Sequence, residues 1–181
     1  MKEGGRRFVA RKLLASGERF RLYRDELSWP GKKRVFREWA KRPLISAVIA
    51  LVSPRDMALV RQHRYGINRW LWEIPAGTVH EGESPALCAR RECEEETGWR
   101  PGRIRPLGSF APTPAFADEQ VHLFVATALK KTRSNPDFDE RITVKIFSVA
   151  EVRRMLKRRV IQDAKSIIAL YRFFAEDKVS A

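Results

Sequence analysis

The chain has 181 residues, 44% of them hydrophobic, and carries 36 Lys and Arg against 22 Asp and Glu, a net charge of +14. That length predicts one globular domain with a small N-terminal extension. No apolar run approaches the roughly 18 residues a bilayer span requires, and the basic N-terminus lacks a following apolar signal core, so a soluble, cytoplasmic protein with no membrane partner is expected.

Residues from Phe8 to about Trp39 read as strands and turns, with Phe20, Leu22 and Tyr23 before the turn signal Trp29-Pro30-Gly31 and Val35 and Phe36 after it. A β-rich N-terminal segment over residues 1–40 follows. Leu44–Val52 is a continuous apolar run suited to a buried strand, with Met57–Arg61 as its neighbour. Leu71–Ile74 is a short strand feeding the turn Pro75-Ala76-Gly77, and a helix is predicted over Ser84–Thr97. Further strands are predicted at Ile104–Phe110, Val121–Leu129 and Ile142–Phe147, with a loop at Ser134-Asn135-Pro136-Asp137. Two helices close the chain, about Ala150–Lys157 and Ala164–Ala175, the second with Ile167, Ile168, Leu170, Tyr171 and Phe174 at helical spacing. The mixture suits an α/β class, an α/β/α sandwich over a mixed sheet.

Cys88 and Cys93 lie five apart on the predicted helix, which separates their Cα atoms by more than the disulfide limit of about 7 Å. With no His or Cys partner at zinc-site spacing, they read as reduced packing residues. The positive charge has two readings, a solubilising Arg-rich surface and attraction to polyanions. The densest basic groups, Lys32-Lys33-Arg34 and Arg153-Arg154 with Lys157-Arg158-Arg159, have no interleaved aromatics. A stacking surface for nucleic acid would need them, so steering of a small anionic substrate is favoured.

The most informative segment is Gly77 to Trp99. On its helix Glu92, Glu95 and Glu96 sit at i, i+3 and i+4 and share one face, with no cation interleaved on that face. A divalent cation would offset their repulsion, and hard oxygen ligands suit Mg²⁺ or Mn²⁺, which typically joins carboxylates to substrate phosphates. The competing reading is a solvated acidic face. Ser84 suits the N-cap, Pro85 the first helical position and Gly98 the C-terminal αL position, while Ala86, Ala89, Cys93 and Thr97 form a small, largely apolar stripe for packing on a sheet.

Those residues resemble the signature of the Nudix hydrolases: Gly, five residues, Glu, seven residues, then R-E-U-x-E-E-x-G-U with U apolar. Gly77, Glu83, Arg91, Glu92, Glu95, Glu96 and Gly98 meet every fixed position, with Cys93 and Trp99 at the U positions. Outside the signature, Arg61-Gln62-His63-Arg64-Tyr65, Trp72-Glu73-Ile74-Pro75-Ala76-Gly77, Thr113-Pro114-Ala115-Phe116-Ala117-Asp118-Glu119 and Asp163-Ala164-Lys165-Ser166 are similar to the ADP-ribose pyrophosphatase branch. Ala115 stands where that branch carries Gly, and if the glycine serves a positive φ or a close ligand approach, alanine there shifts the loop.

The resemblance implies the Nudix α/β/α sandwich as a hydrolase domain over residues 41–181, with residues 1–40 exchanged between the subunits of a homodimer. It implies hydrolysis of a nucleoside diphosphate linked to a sugar, ADP-ribose giving AMP and ribose 5-phosphate, with two or three Mg²⁺ ions, or Mn²⁺, on Glu92, Glu95, Glu96 and the Ala76 carbonyl. Glu83 would pair with Arg91 and hold the loop on the helix. Arg64 is the candidate phosphate clamp, against the alternative of a surface salt bridge. Glu140 is the candidate general base, with Glu119 as an alternative base or metal ligand. Pro114 and Phe116 belong to the substrate loop, and Trp29 is expected near the adenine, for which Trp70, Trp72 and Phe116 also offer stacking faces. The competing functions are hydrolysis of a GDP-mannose-type sugar or a dinucleotide, and an RNA-end-binding or nucleotide-sensing module, which an intact carboxylate triad argues against.

Overall fold

Residues 7–29, 31, 34–134 and 142–179 are described by the structure, a computed structural model. It divides into two units, Met1–Pro43 with Ala111–Gln120, and Leu44–Phe110 with Val121–Ala181.

The first unit is built on an antiparallel sheet of β1 (Arg7–Ser16), β2 (Arg21–Ser28) and β3 (Val35–Lys41), in that order. Cross-strand pairs hold its register. Arg11 faces Asp25 and Tyr23 faces Trp39. Arg11 makes a bidentate ion pair with Asp25 at 2.7 and 2.9 Å, lies over the Tyr23 and Trp39 rings, and holds the Asp25 carboxyl below its ordinary range. Trp39 Nε1 donates to the same carboxylate at 3.1 Å. Residues 111–120 join this sheet at the end of β3: Ala40 N donates to Phe116 O, Asp118 N donates to Ala40 O, and Arg42 N donates to Asp118 Oδ1.

The second unit centres on β4 (Ile45–Ser53), whose apolar run is buried on both faces. Alternation sends Ala47 and Ile49 into one core and Val48 and Ala50 into the other. β5 (Asp56–Arg64) returns antiparallel, a 3₁₀ turn at Tyr65–Ile67 follows, and β6 (Arg69–Glu73) pairs back on β5. β4 and β5 pair only next to their hairpin. Beyond it β6 takes Val60–Arg64 of β5, and β7 (Ala76–Thr78) takes Ile45–Ala47 of β4. Ala76 and Gly77, expected in a turn with Pro75, therefore form with Thr78 a strand under the following helix α1 (Pro85–Thr97).

β8 (Trp99–Arg100) pairs with β11 (Lys130–Lys131), while β9 (Arg103–Phe110) is antiparallel and β4 parallel to β10 (Val121–Thr127). β10 stops two residues short of the expected Leu129 because Ala128 adopts φ +53°. β12 (Ile142–Ser148) pairs on the outer edge of β5, completing a mixed sheet. Helices α2 (Val149–Lys157) and α3 (Ala164–Val179) cover the face opposite α1, burying Val152, Leu156, Leu170, Phe173 and Phe174 against Ile49, Leu59 and Leu123. Each large aliphatic side chain so buried contributes about 1.5–3 kcal/mol. The smaller core under α1 uses Ala89, Cys93 and Phe124. This second unit is the α/β/α sandwich expected from the sequence. Among the described residues, no helix is long and apolar enough to cross a membrane.

Candidate active site

Local signals set α1. Ser84 Oγ accepts from Leu87 N at 3.3 Å, Pro85 opens the helix, and Gly98 closes it at φ +68° with its N–H on Glu94 O. A side chain at Gly98 would also meet Ser134 N at 2.9 Å. The apolar stripe of Ala89 and Cys93 is fully buried on the sheet, which leaves the acidic face turned toward β7. Burial pushes both thiols, Cys88 and Cys93, up to about 12, and both are unpaired.

Two carboxylates one helical turn apart rest on consecutive residues of β7. Glu96 Oε2 accepts from Ala76 N at 3.1 Å. The Glu92 carboxylate lies so close to Gly77 that an added Cβ would stand 1.9 Å from Oε1, so only glycine fits beneath it. Glu92 and Glu96 are both buried, whereas the Glu95 side chain is 37% exposed.

The expectation that no cation offsets this face is corrected by Arg91. Its Nη1 donates to Glu92 Oε1 at 2.6 Å and to Glu95 Oε2 at 3.0 Å. Arg91 precedes Glu92 and lies four residues before Glu95, so its long stem reaches across the face. The same guanidinium grips Glu83 through Nε and Nη2 at 3.0 and 3.1 Å and donates to Thr78 O at 3.0 Å. The Glu83–Arg91 pair is thus present, and it ties the loop before α1, the end of β7 and the acidic face together. The Arg91 bonds, opposed by burial, bring the Glu83 carboxyl down to about 2, and Arg91 is held charged in return.

Among the described residues, no three His, Cys, Asp or Glu side chains converge as a metal-binding group. Arg91 stands between Glu92 and Glu95, and Glu96 is turned to Ala76 N. The donor set still fits a hard divalent cation. Its side chains offer carboxylate oxygen, with no thiolate or imidazole among them, and the glycine beneath Glu92 admits its carboxylate where any Cβ would exclude it.

Arg64, at the end of β5, pairs with Glu73 at the end of β6. Nε donates to Oε1 at 2.8 Å and Nη2 donates to Oε2. Burial opposes the Arg64 charge, but Glu73 outweighs it and Glu96 adds to the attraction, so Arg64 is within electrostatic reach of the acidic face of α1. The ion pair is no ordinary surface bridge, since its carboxylate is 1% exposed.

A NUDIX domain model matches residues 43–171. The chain belongs to the Nudix family. It is 36% identical to the methanol dehydrogenase activator of Bacillus methanolicus over 157 residues, covering 86% of this chain and 85% of that protein. It is 33% identical to the ADP-ribose pyrophosphatase of Bacillus subtilis (strain 168) over 172 residues, 94% of this chain and 93% of that one. A crystal structure of an ADP compounds hydrolase has the same fold, with a TM-score of 0.87 at 18% identity over 100% of this chain and 98% of that chain.

Pro114, Phe116 and Glu119 belong to the first unit, as does Trp29 just after β2. Phe116 is exposed, Trp29 is half-buried, and Glu119 is paired with Arg42 at 3.2 Å. Ala115 is not among the described residues with positive φ, and the loop closes with Phe116 N and Ala117 N on Thr113 O, so alanine there needs no strained backbone. Trp72 packs edge-on against Phe147 at 4.9 Å, in the core, while Trp70 stays half-exposed beside Arg61 and His63. Glu140 lies outside the described residues. Two residues the motif reading gave no role, Glu73 and Lys165, meet in a buried ion pair. Glu73 carried a signal, a carboxylate inside the apolar stretch Trp70–Ile74, whereas Lys165 follows Asp163 and precedes Ser166 and carried none.

Proposed function

We propose that this chain hydrolyses the pyrophosphate of ADP-ribose, giving AMP and ribose 5-phosphate. The observation that carries this reading is the seating of Glu92 on Gly77 and Glu96 on Ala76, with Arg91 clasping Glu83. The relatives named ADP-ribose pyrophosphatase support the substrate. In this reading Glu92, Glu95, Glu96 and the Ala76 carbonyl hold two or three Mg²⁺ ions, with Mn²⁺ as a substitute. A bound divalent cation supplies neutralisation of the diphosphate charge and acidification of a water. Arg64 binds the diphosphate through the edge of its guanidinium that Glu73 leaves free. Pro114 and Phe116 line the sugar and base end, Trp29 lies by the adenine, and Glu140 takes the proton of the attacking water, with Glu119 as the alternative. Water adds to one phosphorus and the oxygen bridging to the other leaves with it.

Residues 41–181 form the hydrolase domain in this proposal, and residues 1–40 join two copies into a cytoplasmic homodimer. Exposed Phe8, Val9 and Leu13 on β1 and Phe36 on β3 support a covered sheet.

The test is AMP release from ADP-ribose with and without Mg²⁺, beside GDP-mannose and a 5′-triphosphate RNA. Release from ADP-ribose alone, abolished by EDTA, is expected. Turnover of GDP-mannose or RNA with silence on ADP-ribose overturns the substrate and keeps the metal site.

A further inference from the structure

The ion-pair network behind β7 points to a residue that aims the phosphate-binding arginine, an inference that rests on the function proposed above. Glu73 is 1% exposed, and both of its carboxylate oxygens are occupied. Oε1 accepts from Arg64 Nε at 2.8 Å, and Oε2 accepts from Arg64 Nη2 and from Lys165 Nζ. Lys165 lies in the first turn of α3, with its Nζ 3.0 Å from Asp163 Oδ2. Asp163 Oδ2 also accepts from Ser166 N at 2.9 Å and Ser166 Oγ at 2.6 Å, and Ser166 Oγ accepts from Ile74 N at 2.9 Å. A continuous set of bonds therefore joins the start of α3 to Glu73 at the end of β6 and to Ile74, two residues before the Ala76 amide that meets Glu96.

A guanidinium has five N–H donors along two usable edges. Glu73 consumes the Nε–Nη2 edge of Arg64. Nη1 and the second Nη2 hydrogen are left on the opposite edge, and the Arg64 side chain is 40% exposed while its partner is sealed. Arg64 is thus locked on one side and presented on the other, the arrangement bidentate binding of a phosphate requires. Lys165 decides how well the lock holds. Without it Glu73 Oε2 would have Arg64 alone, and a buried carboxylate short of one donor draws the guanidinium inward. The four charges of Arg64, Lys165, Glu73 and Asp163 sum to zero, so the intact network holds Arg64 without an excess of either sign.

We propose that Lys165 is a positioning residue that holds Glu73 and keeps the outward edge of Arg64 aimed at the substrate diphosphate. Residues supporting a binding group typically cost about tenfold or more when lost, so Lys165→Met is expected to raise KM for ADP-ribose about tenfold with kcat within about twofold. Lys165→Arg is expected to restore KM, because it again donates to Oε2. Should Lys165→Met not fold, Lys165→Gln carries the same expectation. A merely structural role would lower melting temperature and kcat together and leave KM unmoved, and that result overturns the proposal. Calorimetric binding of ADP separates this failure from failure of the functional reading. If wild-type protein hydrolyses none of the compounds, about tenfold weaker ADP binding by the Lys165→Met chain still supports the positioning role, and equal binding refutes it.

Discussion

Glu92 and Gly77 occupy each other's space. The carboxylate on α1 lies where a side chain on β7 would begin, with Oε1 1.9 Å from an ideal Cβ. Since Gly77 pairs with Ser46 on β4, the strand cannot retreat without breaking the ladder. Gly77→Ala is therefore expected to displace Glu92 and to destabilise the chain by about 1–3 kcal/mol, the usual cost of overpacking. Denaturant unfolding and activity measured side by side check this. An alanine variant that matches wild type in both would show that the close approach does not exist.

Glu96 offers a cleaner separation of chemistry from fold. It accepts from Ala76 N, and a glutamine oxygen can do the same. Glu96→Gln should keep the melting temperature within a few degrees while removing a charge proposed above to hold metal. Loss of charge stabilisation worth several kcal/mol lowers turnover by about a hundredfold or more. Wild-type turnover of ADP-ribose by this variant in Mg²⁺ would remove Glu96 from the metal site.

The Glu83–Arg91 clasp predicts an acid limb in stability. The Glu83 carboxyl is depressed from 4.5 to about 2 in the folded chain. A depressed carboxylate contributes stability above its unfolded value, and the contribution is lost as pH falls through the folded value. Glu73 shifts in the same direction, since Arg64 and Lys165 overcome its burial. The difference in unfolding free energy between wild type and Glu83→Gln should thus be largest near pH 7, shrink as pH falls through 4.5 and vanish only below about pH 2. A difference that stays constant with pH would mean that the clasp is not ionic.

Cys88 and Cys93 should be inert in the folded state. Both are fully buried, with thiols pushed up to about 12. A chromogenic disulfide reagent at pH 8 is expected to label neither in native protein and both after denaturation. Rapid native labelling would show that α1 lifts from the sheet.

Much of α1 was legible because its determinants are local. Ser84, Pro85 and Gly98 act on backbone groups within one turn, and the 3.6-residue repeat puts Glu92, Glu95 and Glu96 on one face wherever the helix lies. β4 was legible for a related reason, since a strand buried on both faces is apolar throughout. β7 was not, because three residues after a proline look like a turn until β4 and β5 part and leave an edge to fill. The reach of Arg91 also escaped the reading by face, as a long flexible stem crosses from one helical stripe to the next.

The amino-acid sequence by itself determined that this chain builds an acidic helix face after a glycine-rich loop, and with it the Nudix family. Those properties rest on spacing and on short-range backbone chemistry. Only the tertiary structure decided what the acids meet: Gly77 beneath Glu92, Ala76 at Glu96, and Lys165 at Glu73, 92 residues away. Strand pairing also brings residues 111–120 to the end of β3, with Asp118 at Arg42 across 76 residues. Contacts of that range are set by which strand edges remain to be satisfied once the sheet forms, and no local pattern carries that information.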